Sequence, residues 1–358
     1  MEKLILVGCD LHDKNMLLKI ASGAGPAAKR VFQNTAAGRA AVISELQKYA
    51  AAAGAARIVF AHEASGTGFG LHDELTAAGI LCHVLAPSKM IATPKQRQSK
   101  TDEKDAEKIL ELLRGHYLAG NKLPSVWIPD LQTRDDREIV RCRLDAQEKC
   151  TQVKIQIVTL LKRQGIAKPA EVGGNWTKAY CMWLAKLAGC AQPLQAGARA
   201  HLGSLLRQLK SLDAELGRLD KQLEKLAASE RHEGSIKALK KINGVGLLTA
   251  LVFLVEVGDA TRFKNRKQVG AYLGLAPSSY DTGESDRKGH ITHQGPARVR
   301  YVLNQALWNC LRCDPDAKED YDRIAGRNPQ HKKIAVVAGM RQLAVRMWHA
   351  AVAAKMAA

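Results

Sequence analysis

The sequence predicts an α/β domain over residues 1–125, a long helical and coiled-coil middle over 126–233, and a mostly helical C-terminal domain over 234–358 with a helix-hairpin-helix element. Three observations carry that reading. Short apolar runs alternate with helical patterns in the first third and end in acids, as in an α/β layer. Leu209, Leu212, Leu216, Leu219, Leu223 and Leu226 recur at heptad spacing. "INGVG" then divides two helical segments, its glycines permitting a tight turn.

The elements follow in order. "KLILVG" is a buried strand leading to Cys9 and Asp10, "NMLLKI" its hairpin partner and "VFQNT" a third strand. "AAGRAAVISELQKYAAA" has helical spacing. "ARIVFAHEAS" gives a strand ending at Glu63, and "GILCHVLAPSKM" another after a short helix. A helix runs from about Thr101 to Gly115. Pro124 and Pro129 mark a boundary, after which one helical run extends to Gly165. Residues 166–200 are rich in Ala and Gly and fit no clear pattern; Trp176 and Trp183 are their candidate anchors. The leucine seam is either the antiparallel partner of the 130–165 helix or a contact between two chains, and Gly217 weakens its helix slightly. "LLTALVFLVEV" is a strongly apolar helix, and the tail "HKKIAVVAGMRQLAVRMWHAAVAAKM" is expected to pack against it.

The formal net charge is +19 over 358 residues, which favours a polyanionic partner, nucleic acid first. No apolar span of about eighteen residues and no signal peptide is evident, so a membrane partner is disfavoured and a cytoplasmic location expected. Among eight cysteines only Cys310 and Cys313 form a C-x-x-C, with no second pair. Reduced, mostly buried thiols are preferred over structural zinc.

The chemistry concentrates in four acids. Asp10 and Glu63 end apolar strands, while Asp102 and Asp105 lie one turn apart at a helix start. Two carboxylates there repel unless the helix N-terminus, a base or a cation compensates. Three of the acids have an ordinary alternative: a helix cap for Asp102, pairing with Lys104 or Lys108 for Asp105, a turn cap for Glu63. Together they offer hard oxygen ligands for Mg2+ (or Mn2+), an ion that can clamp a phosphate. His12 and His62 neighbour two of them and read as solvated or orienting side chains. Lys95, Arg97 and Lys100 are either phosphate contacts beside that site or a solvated basic loop. Backbone N–H groups around Gly244 and Gly246 either receive a DNA phosphate or form a plain helical turn.

The stretches "VGCDLHDKN", "HEASGTG" and "KTDEKDA", followed by "INGVG", "RFKNRKQVGAYLGLAPSSYDTGES", "GHITHQGPARVRYVL" and "HKKIAVVAGMRQLAVRMW", resemble one group in this order. The chain is similar to bacterial insertion-sequence transposases with an N-terminal RuvC-like DEDD domain and a C-terminal serine-bearing domain. The resemblance covers nearly the whole chain except residues around 166–200. It implies a ribonuclease-H-like N-terminal fold whose DEDD acids are Asp10, Glu63, Asp102 and Asp105, binding divalent metal. It also implies DNA recombination with a covalent hydroxyl intermediate and, in some members, direction by a structured bridge RNA. Active sites in the group combine both domains across subunits, so a dimer or tetramer is expected.

The family commonly carries Ser-Gly after its "GL-x-P" segment. Here Thr282 precedes Gly283, and serines stand at Ser278, Ser279 and Ser285 instead. Threonine keeps a hydroxyl, although its β-methyl crowds the attack. Thr282 is the first candidate nucleophile and the three serines its alternatives. Arg262, Lys264, Arg266, Lys267, Arg287, Lys288, Arg298 and Arg300 flank the loop with charge suited to phosphate, or form a solvated basic face. Two rival functions stay open: a metal-dependent structure-specific nuclease using only the acids, and a non-enzymatic nucleic-acid scaffold.

Overall fold

The computed structural model describes residues 3–54, 56–90, 101–282, 285–327 and 329–357, with the backbone alone for 279–282 and 285–288. The chain forms two compact units, residues 1–128 and 129–358.

The first unit is built on five strands: β1 (Leu4–Leu11), β2 (Asn15–Ser22), β3 (Ala28–Gln33), β4 (Arg57–Glu63) and β5 (Leu81–Leu85). Their order is β3-β2-β1-β4-β5. β1 pairs antiparallel with β2, and β2 with β3, whereas β1–β4 and β4–β5 are parallel. Helices α1 (Ala36–Ala52), α2 (Gly70–Ala77) and α3 (Asp102–Ala119) cover it. The third strand is displaced toward the N-terminus of "VFQNT" and ends at Gln33, because Thr35 caps α1, its hydroxyl accepting from Gly38 N at 3.1 Å. Side chains alternate across the strands. Ile5, Val7, Cys9 and Leu11 join Ile58 and Phe60 in a core with Val42 and Leu46 of α1 and Leu71 and Leu75 of α2. Leu6, Val59 and Ala61 face the other way, onto Ile109, Leu110 and Leu113 of α3.

Gly8 decides how close α3 comes. A Cβ there would lie 2.3 Å from Ala106 O and 2.5 Å from Leu110 N, both backbone atoms. Only a glycine lets the helix rest directly on β1.

The second unit is helical: α4 (Leu131–Arg163), α5 (Lys178–Gly189), α6 (Ala196–Ala227), α7 (Glu233–Lys240), α8 (Leu247–Val257), α9 (Arg266–Tyr272), then strands β6 (Pro277–Thr282) and β7 (Ser285–Ile291), then α10 (Ala297–Cys313), α11 (Pro315–Arg327) and α12 (Lys333–Ala357). The leucine seam pairs within the chain. Arg143 reaches Asp220 at 2.6 Å and the Cys150 thiol reaches Asp213 at 3.6 Å, so α4 and α6 run antiparallel. Gly217 does not interrupt α6. The 166–200 region supplies α5, whose Tyr180 meets Trp176 edge to face and Trp183 at a tilt, against the same core.

α4 belongs to two cores. Val140 and Leu144 pack with α8 and the C-terminal helices, whereas Ala146 through Leu161 pack with α5 and α6. α8 is almost wholly apolar, Thr249 and Glu256 apart, and is enclosed by α4, α6, α7 and α10. The tail helix α12 lies mainly on α7, α9, α10 and α11 and shares one buried core with α8. "INGVG" makes the expected turn, with Gly244 at φ +84°. Its Cβ would meet Ala306 O at 2.5 Å and Cys310 N at 2.6 Å, so this glycine serves the approach of α10, while Gly246 faces open space. Among the described residues no helix is long and apolar enough to cross a membrane.

Candidate active site

Asp10 sits at the end of β1 on the face that carries α3. The parallel register pairs Cys9 with His62, so the next residues on the two strands, Asp10 and Glu63, fall side by side. α3 brings the other acids. Its N-cap is Thr101, whose hydroxyl accepts from Lys104 N at 3.3 Å. Asp102 is thus the first helical residue rather than the cap, and its carboxylate is left for other work.

His12 joins them. Its Nε2 lies 3.0 Å from Asp10 Oδ2 and 3.5 Å from Asp102 Oδ1. Ligand atoms of Asp10, His12 and Asp102 all lie within 4.8 Å of one another. The sequence alone reads His12 as a solvated or orienting side chain, since a lone histidine two residues beyond a strand acid carries no ligand signal until α3 is placed. Burial pushes the Asp10 carboxyl above the usual range; His12 pulls it down, and the charges of Asp102 and Asp105 push it up again. Asp105 thus acts on Asp10 electrostatically, and Glu63 stands beside it by register. A carboxylate whose charge is disfavoured by burial and by two neighbouring acids is the kind of oxygen donor a hard divalent cation suits.

His62 points away from this cluster. It is fully buried beside Phe60, its Nδ1 bonds the Glu63 carbonyl at 2.9 Å, and burial lowers its pKa. It is a core histidine in the neutral form.

Glu103 anchors the helix that carries the acids. Its carboxylate takes Lys19 Nζ at 2.7 Å and Lys29 Nζ at 2.6 Å, tying α3 to β2 and β3. Hydrogen bonds from these lysines hold its pKa down to about 2. The folded value lies below the ordinary 4.5, so the contribution is present above pH 4.5 and lost as pH falls toward 2. Glu103→Gln is expected to melt below the wild type at pH 7 and to converge with it near pH 2, as thermal melts across that range will read.

The hydroxyl-rich segment is a β-hairpin, not a loop: β6 pairs antiparallel with β7, Thr282 opposite Ser285 and Ser279 opposite Lys288. Ser278 Oγ donates to His290 O at 3.1 Å. The side chains of Ser279, Thr282, Ser285, Arg287 and Lys288, and the whole of Lys95, Arg97 and Lys100, lie outside the described residues. Of the flanking cations, Lys264, Arg266 and Lys267 are exposed. Arg262 lies over the Phe263 and Tyr272 rings at 4.1 and 4.4 Å and donates to Val257 O. Arg298 pairs with Asp145 at 2.9 Å. Arg300 donates to two backbone carbonyls.

Two family models match in succession, one of DEDD transposases of IS110 type over residues 7–165 and one of the transposase IS116/IS110/IS902 family over residues 236–322. The chain belongs to the IS116/IS110/IS902 transposase family. The first match carries Asp10, Glu63, Asp102 and Asp105, and the second carries the hairpin. Among relatives, the Sinorhizobium fredii protein y4qE is 32% identical over 251 residues, covering 70% of this chain and 58% of that one. Its y4rJ is 26% identical over 303 residues, covering 80% and 75%. The transposase for insertion sequence element IS1533 of Leptospira borgpetersenii is 27% identical over 251 residues, covering 69% of each. The chain thus spans somewhat over half of y4qE and more of the other two. In this transposase family member both motif-bearing regions are present.

Proposed function

We propose that the protein is the recombinase of an insertion sequence, binding element-end and target DNA and exchanging strands. The observation that carries this is the convergence of Asp10, His12 and Asp102 in a chain of a transposase family. Asp10 and Asp102, with Glu63 and Asp105 beside them, suit Mg2+ or Mn2+, whose preferred ligands are carboxylate oxygens. When bound, such an ion polarises a phosphate oxygen.

The chain's own hydroxyl does the cutting. The oxygen of Thr282, or of Ser279, Ser285 or Ser278, forms a bond to phosphorus. The bond from phosphorus to the deoxyribose oxygen breaks, and the proton lost by the hydroxyl ends on that leaving oxygen. The covalent link keeps the phosphodiester energy, so no nucleoside triphosphate is consumed. Ser278 ranks lower because its proton already serves the His290 carbonyl. Exposed Lys264, Arg266 and Lys267, with Lys95, Arg97, Lys100, Arg287 and Lys288, hold the backbone without reading sequence. A structured guide RNA supplies sequence recognition, and two or four copies assemble in the cytoplasm on the nucleoid.

Covalent trapping tests this. Full-length protein with magnesium, element-end DNA and RNA transcribed from the element flanks is denatured and analysed by peptide mass spectrometry. The expected result is a DNA adduct on the Thr282 peptide, lost in Thr282→Ala. Cleavage without an adduct indicates a metal-dependent nuclease, and binding without cleavage a scaffold; either overturns the recombinase reading.

A further inference from the structure

The excursion from Gly274 to Gln294, which carries every candidate nucleophile, leaves and rejoins the helical unit at one narrow neck. There the two legs touch backbone to backbone. A Cβ on Gly274 would lie 2.1 Å from Gln294 O, and one on Gly295 would lie 1.9 Å from Tyr272 O. Both glycines adopt positive φ, +67° and +94°. Above the neck Thr292 N donates to Ala276 O at 3.0 Å, and the β6–β7 ladder begins.

Arg300, from the first turn of α10, closes the neck. Its Nη1 donates to Leu273 O at 3.1 Å on one leg and to Gly295 O at 3.2 Å on the other. The leg before the neck is rooted more deeply. The Tyr272 hydroxyl donates to Glu256 O at 2.8 Å, and the buried Glu256 carboxylate takes Arg141 at 2.8 and 3.1 Å. The two N–H bonds of Nη1 are thereby committed to backbone carbonyls rather than to phosphate, the partner that sequence reasoning asks of this residue.

Resting on the reading that this hairpin bears the nucleophile, we infer that Arg300 is a positioning residue, fixing the two legs of the hairpin relative to α10 and so holding the attacking hydroxyl in place. A displacement of about 1 Å at the reacting atom costs on the order of a hundredfold in rate. A single amine on a flexible stem replaces the planar donor incompletely, so lysine restores part of the effect.

The test compares wild type, Arg300→Gln and Arg300→Lys as full-length proteins with confirmed melting temperatures. Single-turnover adduct formation at saturating DNA is expected to slow ten- to a hundredfold in Arg300→Gln and less in Arg300→Lys. The Kd for element-end DNA and its salt dependence stay unchanged. Hydrogen exchange at the Thr292 amide speeds up about tenfold in Arg300→Gln. A phosphate-contacting Arg300 gives the opposite: weaker binding, a salt slope lower by about one, and an unaltered rate at saturation. That result, or an unchanged Thr292 amide, overturns the inference. Because hydrogen exchange needs no chemistry, it tests the clamp even if wild type forms no adduct, an outcome that strikes the recombinase reading alone.

Discussion

Asp10→Asn is expected to abolish metal-dependent strand cleavage and, in the same protein without metal, to raise the melting temperature. The two effects share a cause. Asp10 is driven toward its neutral form by burial and by the charges of Asp102 and Asp105, with His12 opposing. A group whose folded pKa is raised costs stability wherever it is ionised, which at neutral pH is the working state. Asparagine removes the repulsion and keeps the shape. On the proposed reading it also removes a metal ligand, and the several kcal/mol that a Lewis-acid ion contributes correspond to a rate loss of about a thousandfold or more. Differential scanning calorimetry with EDTA and a cleavage assay with magnesium read both halves. An unchanged or lowered melting temperature without metal argues that the acids are paired structurally rather than held for a cation.

Gly8→Ala is expected to cost about 3 kcal/mol in the first unit, the upper end of what overpacking usually exacts. The obstructing atoms, Ala106 O and Leu110 N, are backbone and cannot rotate aside. α3 must lift from β1, carrying Asp102 away from Asp10 and His12. Urea unfolding gives the stability change, and cleavage is expected to fall even where the protein remains folded. A variant that melts like the wild type and cuts at the same rate refutes the idea that this contact sets the spacing of the acids.

How far the site was legible in the sequence depends on which residues are asked. The strand acids were legible, because apolar runs ending in Asp10 and Glu63 give both the strand and its polarity. Whether Asp102 caps its helix was not: Thr101 and Asp102 both suit an N-cap, and only the backbone shows Thr101 in that role. His12 becomes meaningful only once α3 lies on β1, and the residue that permits this, Gly8, has no signal apart from its small size. The β6–β7 hairpin is not legible because "PSSYDTGESDRKGHI" lacks the apolar alternation by which strands are recognised. The arginines around it read alike in sequence, yet Arg262, Arg298 and Arg300 each have different work within the fold. Heptad spacing foresaw the long helical hairpin but left its partner open, a matter settled by Arg143–Asp220 and Cys150–Asp213.

The division of α4 between two cores has a further consequence. Its first turns, through Arg137 and Arg141, bind the carbonyls of Val255 and Glu256 and the Glu256 carboxylate, beneath the root of the hydroxyl-bearing hairpin. Beyond them, the buried side chains from Ala146 to Leu161 pack with α5, α6 and their connections. The outer portion is therefore an arm of adjustable reach. Matched heptads added to or removed from α4 and α6 lengthen or shorten it by roughly 10 Å each, at 1.5 Å per residue, with the seam kept in register. The arm is thus free to change length while the contacts at its base keep their geometry.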